Sequence, residues 1–490
     1  MIFAEFTLAP SIWTSWVAAV PAWPLVSPLL AAAEAESSVS KAEEGSLILA
    51  SVLLSLVFVY IASKVGGEIC ARINLPPVLG ELVGGVVIGI SALHILVFPE
   101  SGAIASDSLL MKLLELTTSL DPAAASSIFA SQSEVISVLS ELGVVILLFE
   151  IGLESDLQEL IRVGPQAAVV AVVGVVVPFV GGTVGLVYLF GIPAVPAIFA
   201  GAALTATSIG ITAKVLAELG RLSAKEGQII IGAAVLDDVL GIIVLAVVAS
   251  LVKTGEIQIL NIVYLSISAG VFLIGTILLG RFLQPLFVGL VNEMKTRGQL
   301  LLVALTFGFV LSYIATAIQL EAILGAFAAG LVLAETEKRQ ELEEQILPVA
   351  DILVPVFFVG VGAKTDLSVL NPAVPSNREG LIVAVFLIVV AIIGKLVTGF
   401  TVFGQPGLNK LAIGVGMIPR GEVGLVFAGV GSASGALSEA TEAAIVMMVI
   451  FTTFLAPPFL RLAFGNDDAS EAEPSLETSV SQSPESESSS

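Results

Sequence analysis

Two adjacent carboxylates, Asp237 and Asp238, stand in the stretch AAVLDDVLGIIVLAVVAS (residues 233–250), which is otherwise apolar enough to lie in hydrocarbon. On insertion scales an ionised carboxylate at the centre of a membrane helix costs about 2.5–3.5 kcal/mol. Two of them side by side need a purpose. Lys395, in AIIGKLVTGF, is the one lysine deep in another apolar run, and as a structural partner it excuses one acid but not both. Neighbouring residues on a helix point ~100° apart, so one acid can hold a cationic partner while the other faces a cavity. The arrangement predicts that Asp237 pairs with Lys395 and that Asp238 binds the ion. A carboxyl group removed from water holds a proton more readily, and its oxygens also suit a small hard cation such as Na⁺. A site that takes a proton or a metal ion, one at a time, performs exchange.

The elements that must position these groups are membrane helices. The chain has 490 residues, is 56% hydrophobic and 13% charged, and has a mean hydropathy of +1.03. Apolar runs long enough to cross a ~30 Å hydrocarbon core recur from end to end, without the period-2 alternation of a membrane barrel. Backbone groups in lipid must be satisfied within the segment, so the reading is an all-α polytopic membrane protein. About thirteen spans are expected, near residues 47–63, 76–98, 135–153, 166–190, 196–217, 226–252, 259–281, 299–316, 320–335, 347–365, 379–403, 408–432 and 441–464. Residues 100–133 read as one or two interfacial helices. Loops after odd-numbered spans, with the C-terminal tail, carry twelve of the loop lysines and arginines, and the other loops carry five. The positive-inside rule therefore predicts a cytoplasmic C-terminus and an outside N-terminus.

Two three-span units, 166–252 and 379–464, resemble each other, and each has an oddly polar middle segment. The first contains LTATSIGITAK and the second GVGMIPRGEVGLV. Glycine and hydroxyl residues weaken the first helix, and Pro419 breaks the second. Being the fifth and twelfth spans, they must run in opposite directions. Interrupted segments at matching places of inverted halves point to a transporter's midplane site. The hydroxyls of Thr207 and Ser208, with carbonyls freed by unwinding, are then candidate cation ligands beside the two acids. Arg420 is always charged and needs a partner at its depth. Glu81 (in PPVLGELVGG) and Glu422 are the candidates, and a structural Arg420–Glu81 bridge is preferred to a direct gating role. Glu150 reads as a funnel or interface acid, and His94, the one histidine, as a satisfied or snorkelling side chain.

The termini differ from this pattern. Residues 1–46 are apolar in part but broken by Pro21, Pro24 and Pro28, and no basic residue precedes Lys41. An interfacial or re-entrant segment is preferred there to a cleaved signal peptide or an extra span. Residues 465–490 are rich in serine and hold seven acids and no base, the composition of a disordered, solvated cytoplasmic tail. The single Cys70 excludes an intrachain disulfide.

In order and spacing, ALTATSIGITAKVLAELG, AAVLDDVLGIIVLA, FFVGVGAKTDL and GMIPRGEVGLV resemble the cation:proton antiporter-2 family, most closely its electrogenic sodium/proton antiporters. The resemblance spans residues 47–464. It implies the sodium/proton antiporter fold, with two crossing, partly unwound helices at 196–217 and 408–432. It further implies a homodimer whose ion-carrying core moves like an elevator against a dimerisation domain. It places the essential acids at Asp237 and Asp238, with Lys395 as their partner, and implies electrogenic exchange. Some distant relatives carry an acid where this chain has Ser208. The function implied is Na⁺ (and Li⁺) exchange for H⁺ by alternating access, serving sodium and pH homeostasis. The membrane is a prokaryotic inner membrane or, alternatively, a thylakoid-type internal one. A K⁺/H⁺ antiporter of the same family is the nearest alternative, with a cation channel or sensor behind it. An intramembrane aspartyl protease would need two acids converging from separate helices. No enzyme activity, cofactor or nucleic-acid partner is expected.

Overall fold

Hydrocarbon leaves backbone groups nowhere to bond except within the chain, and the computed structural model is helical throughout its described residues: 26–117, 122–254, 259–371, 375–403 and 407–465. Most of the expected N-terminal segment and all but one residue of the expected acidic tail lie outside them. In chain order the helices are α1 (Val26–Arg72), α2 (Pro77–Ile88), α3 (Leu109–Thr117), α4 (Pro122–Glu154), α5 (Leu157–Phe190), α6 (Ala194–Ala203), α7 (Ile209–Glu218) and α8 (Lys225–Thr254). There follow α9 (Ile259–Glu293), α10 (Gln299–Ala317), α11 (Ala322–Ala334), α12 (Arg339–Ala363), α13 (Pro375–Phe400), α14 (Lys410–Gly416), α15 (Glu422–Ala433) and α16 (Glu439–Phe464).

Among the described residues, 9 helices are long and apolar enough to cross a membrane. The remaining expected spans are the short α2 and α11 and two interrupted ones, α6/α7 and α14/α15. Two expected boundaries move. The second span stops being helical at Ile88, and residues to Phe98 turn back over the bundle, with Leu96, Val97 and Phe98 buried. The third begins at Pro122, so part of the expected interfacial insert belongs to α4. The rest of that insert holds α3, whose buried Leu110, Met111 and Leu114 pack with Ile128 and Phe129 of α4. Residue 47, the expected start of the membrane region, falls inside the continuous α1.

Two bundles result. One gathers α1, α2, α4, α10, α11 and α12. The other gathers α5–α8 and α13–α16, the two repeated units. Polar contacts show which helix ends lie together. Arg339 at the start of α12 bonds the Glu154 carbonyl at the end of α4 (2.9 Å), and Asn409 before α14 bonds the Ala463 carbonyl (2.6 Å). With Arg72, Arg221, Lys338 and Lys410 these mark one end of the molecule, here the basic end. At the opposite end Lys364 pairs with Glu100 (2.8 Å) and sits over the Phe98 ring (4.8 Å to its centre).

The apolar core is continuous at only one of these ends. From mid-depth to the basic end a single cluster joins both bundles: Val144–Phe149 of α4 and Phe357 and Phe358 of α12 pack with Ile211 and Val215 of α7, Ile229–Ile231 of α8 and Leu460 of α16. Towards the other end the cores are separate. One holds Phe199, Leu387, Phe427 and Met447 of the second bundle, and the other holds Val59, Ile88, Phe98 and Val356 of the first. Outside, α1 shows an apolar stripe four residues apart, Leu49, Leu53, Val57, Ile61, Val65 and Ile69, each more than half exposed except Val57, at 50%. That spacing makes one continuous helix face fit for hydrocarbon.

Within the first bundle backbones touch. A Cβ on Gly66 of α1 would lie 2.0 Å from the carbonyl oxygen of Gly80 in α2, and one on Gly80 the same distance from the Gly66 oxygen. Backbone cannot step aside, so Gly80→Leu is expected to lower stability by at least about 1–3 kcal/mol through overpacking, read as a fall in melting temperature of the detergent-solubilised protein. Gly164→Ala, inside α5 and with nothing within 4 Å of the added Cβ, is expected to lose no stability and to gain up to about 1 kcal/mol in the same assay.

Candidate ion-exchange site

The site lies where the two interrupted segments cross inside the second bundle. Helix α6 ends at Ala203 and α7 starts at Ile209, leaving Leu204–Ser208 outside helical geometry. Helix α14 ends at Gly416 and α15 starts at Glu422, leaving Met417–Gly421. Breaks of this kind free N–H and C=O groups that lipid cannot satisfy. The two breaks satisfy each other. Ser208 N–H donates to the Pro419 carbonyl (2.8 Å), the Thr207 hydroxyl to the Met417 carbonyl (3.3 Å), and the Thr212 hydroxyl to the Gly416 carbonyl (2.9 Å).

Arg420 completes this exchange. It is 0% exposed, and its Nη1 donates to the carbonyls of Thr205 (3.0 Å) and Ala206 (2.6 Å). Those carbonyls follow the C-terminal end of α6, where the helix dipole is negative. The guanidinium thus lies where an unwound segment was expected to offer oxygens to the transported cation. The expected Arg420–Glu81 bridge is not made. Glu81, on α2 of the first bundle, instead accepts from the Ser63 hydroxyl of α1 (2.8 Å), and the guanidinium takes the carbonyls at the break. Glu422 opens α15. Thr453 of α16 donates to the Arg420 carbonyl. Arg420 Nε and Nη2 are buried without hydrogen-bond partners.

Next to this crossing run α8, with the two acids, and α13, with the lysine. Lys395 Nζ donates to Asp237 Oδ2 at 3.0 Å, and both side chains are 0% exposed. Asp237 Oδ1 has no hydrogen-bond partner. Asp238, one residue on and so turned ~100° away, is 5% exposed. Ser208 is 6% and Thr207 3% exposed. Gly174 of α5 makes room for the ammonium group, since a Cβ there would stand 3.1 Å from Lys395 Nζ. The structure therefore gathers Asp237, Asp238, Lys395, Thr207, Ser208 and Arg420 at one crossing and leaves Glu81 outside it. Glu150 lies apart too, on α4 in the first bundle. His94, in the turn after α2, is exposed, with Nδ1 3.1 Å from the Ala92 carbonyl.

A cavity of about 470 Å³ reaches the crossing from the end opposite the basic one. Its walls are α4, α10, α11 and α12 of the first bundle and α15 and α16 of the second; Glu100, Glu141, Glu321 and Lys364 stand among the lining residues, as do Arg420, Gly421 and Thr453 at the crossing. Val144, Val145 and Phe357 of the joined core form its apolar wall on the first bundle, and Val449 stands on the second. This is an arrangement in which the crossing is approached from one side and sealed by a joined core on the other.

Residues 53–464 match the family described as sodium/hydrogen exchanger, transmembrane. The chain belongs to the sodium/hydrogen exchanger family. It is 70% identical over 452 residues, 92% of this chain and 96% of the relative, to the high-affinity Na⁺/H⁺ antiporter NhaS3 of Synechocystis. It is 32% identical over 418 residues, 84% of this chain and 96% of the relative, to the Na⁺/H⁺-K⁺ antiporter GerN of Bacillus cereus. Among solved structures, the sodium proton antiporter MjNhaP1 of Methanocaldococcus jannaschii superposes with a TM-score of 0.57, at 16% identity, over 84% of this chain and 96% of that one. At that identity the likeness is one of fold. This exchanger is accordingly an integral, multi-pass membrane protein.

Breaking a buried pair by removing one partner strands the other charge and costs about 3–5 kcal/mol. Lys395→Ala is therefore expected to lower the melting temperature sharply. Asp237→Asn in the Lys395→Ala background is expected to restore most of the loss, because it removes the stranded carboxylate. Melting curves of the four proteins of this cycle, in detergent at one pH, measure the coupling.

Proposed function

We propose that this exchanger is a secondary active antiporter that swaps Na⁺ for H⁺ by alternating access, with Asp238 as the ion-binding carboxylate and Asp237–Lys395 as the second charge-switching group. The observation that carries the reading is the buried Lys395–Asp237 ion pair, 3.0 Å apart, next to Asp238 at the crossing of two interrupted helices. A carboxylate at this crossing, with the Thr207 and Ser208 hydroxyls in the neighbouring interruption, offers oxygens of the kind Na⁺ prefers. Arg420 already sits on the Thr205 and Ala206 carbonyls, so those two oxygens are taken, and this reading assigns the cargo to the acids and hydroxyls.

Protons and Na⁺ compete for the same oxygens, so occupation by one excludes the other, and that exclusion couples their movements. When Na⁺ enters, its charge weakens the hold of Asp237 on Lys395, and the lysine can give up its proton as Asp238 does. More than one proton then leaves per Na⁺ bound, and the cycle moves net charge. The wider assignment is a homodimer in a prokaryotic membrane with its basic end in the cytoplasm, which the distribution of lysine and arginine favours. The relatives NhaS3 and GerN, named for Na⁺/H⁺ and Na⁺/H⁺-K⁺ antiport, support the choice of ion and make K⁺ the alternative to test.

The test is reconstitution in liposomes containing a pH-sensitive dye, with Na⁺, Li⁺ or K⁺ added outside. Na⁺ is expected to dissipate an imposed pH gradient at a rate that increases with pH, since protonated acids cannot take the cation. A potassium-diffusion potential is expected to change the Na⁺-driven rate if charge moves. Asp238→Asn is expected to lower Na⁺/H⁺ exchange to the rate of empty liposomes. Undiminished exchange in the Asp237→Asn/Asp238→Asn protein would overturn the reading.

A further inference from the structure

At the basic end the bundles meet through more than apolar packing. Helix α7, the inner half of the first interrupted span, packs against α2 and α4 of the first bundle. Its last residue, Glu218, sets its carboxylate against the start of α2: Val78 N–H lies 3.2 Å from Oε1 and 3.5 Å from Oε2. Helix α2 begins at Pro77, after Pro76, and no side chain of its own N-terminus accepts from its first turn. First-turn N–H groups have no partner within the helix, and the positive end of the dipole favours an anion. Glu218 is therefore a helix cap supplied by the opposite bundle, 140 residues away in sequence.

One turn back along α7 stands Lys214. Its charge acts on Glu218, on Glu81 of α2 and on Glu150 of α4. Glu154 of α4 and Asp351 of α12 add negative charge to the same region. Glu81 Oε2 and Glu150 Oε2 are buried with no hydrogen-bond partner, and Lys214, joined at Glu81 by Lys64, brings positive charge to these acids on the facing bundle. These groups lie at the sealed end of the cleft, opposite the cavity.

We infer that Lys214 and Glu218 form a latch across the two bundles: Glu218 caps α2, and Lys214 neutralises Glu81 and Glu150. The latch holds the basic end shut while the other end is open, and its release accompanies opening to the basic end. The inference rests on the antiport reading only in that the site must face both sides in turn. Lys214 and Glu218 are positioning residues that touch no cargo. Without the lysine, Glu218 confronts Glu81 across the boundary, and repulsion favours the open form.

The chain carries its own reporter. Cys70, its only cysteine, is 8% exposed on α1, close enough to Glu218 to feel its charge, so release of the latch uncovers it. Full-length protein in nanodiscs, with both faces accessible, is labelled with a charged maleimide. A second reporter, Val446→Cys in a Cys70→Ser background, reads the cavity at the other end, where Val446 is part of the lining. Lys214→Met is expected to speed Cys70 labelling by about tenfold or more, equivalent to ~1.4 kcal/mol in the equilibrium, and to slow labelling at position 446. Lys214→Arg is expected to keep wild-type rates at both. Adding Glu81→Gln to Lys214→Met is expected to return the Cys70 rate part of the way, because one repelling acid is gone. Unchanged rates at both reporters in Lys214→Met, or a rise at both as unfolding would give, overturns the latch. Labelling needs no transport, so a loss of the antiport reading in liposomes leaves this result independent.

Discussion

Backbone that leaves helical geometry inside a membrane must find every hydrogen bond within the protein, and this molecule is organised around that demand. Two interruptions, Leu204–Ser208 and Met417–Gly421, each supply what the other lacks. Pro419 and Met417 lend carbonyls to Ser208 and Thr207, and Arg420 lends N–H groups to Thr205 and Ala206. Neither break is tolerable without the other. Because the two breaks bond to each other, the crossing can lie deep in the second bundle, and α8 and α13 can bring ionisable groups to it. The buried pair Asp237–Lys395 is the second consequence. A carboxylate next to a half-helix end that Arg420 already neutralises would be isolated without a cation of its own.

Arg420 also changes how the site divides its oxygens. An unwound helix end suggests carbonyl ligands for a metal ion, as the sequence did here. In the folded chain a permanent cation occupies them. On the proposed reading the mobile cation is left to carboxylates, whose affinity depends on protonation, with neutral hydroxyls beside them, whereas carbonyls bind Na⁺ irrespective of pH. Under that reading, competition between proton and metal follows from the choice of ligand type.

Much of this was readable from residue order, for a physical reason. Hydrocarbon forces long apolar runs, so the runs mark the spans. It forbids unexplained charge, so Asp237, Asp238, Lys395 and Arg420 announce themselves. Both breaks were legible because proline, glycine and hydroxyl residues have no business in a plain membrane helix. What was not legible has a common cause as well. The partners of Arg420 are backbone carbonyls, which carry no residue signature, and so the side chain of Glu81 was the natural but mistaken candidate. Glu218 capping α2 joins positions far apart in sequence and was equally invisible, although a carboxylate near the end of a span and a proline-led helix start were both in view. The end of α2 at Ile88 was missed because Leu93–Phe98 is apolar for a different purpose, covering the bundle end instead of continuing the helix.

The asymmetry of the core carries a mechanical meaning for the surrounding lipid. The bundles are joined by a shared apolar cluster at one end and parted by a cavity of about 470 Å³ at the other. Any rearrangement that shuts the cleft and parts the joined end must redistribute area between the leaflets. Lateral pressure in each monolayer then performs work on the interconversion, so the balance between the two forms is a property of protein and bilayer curvature together.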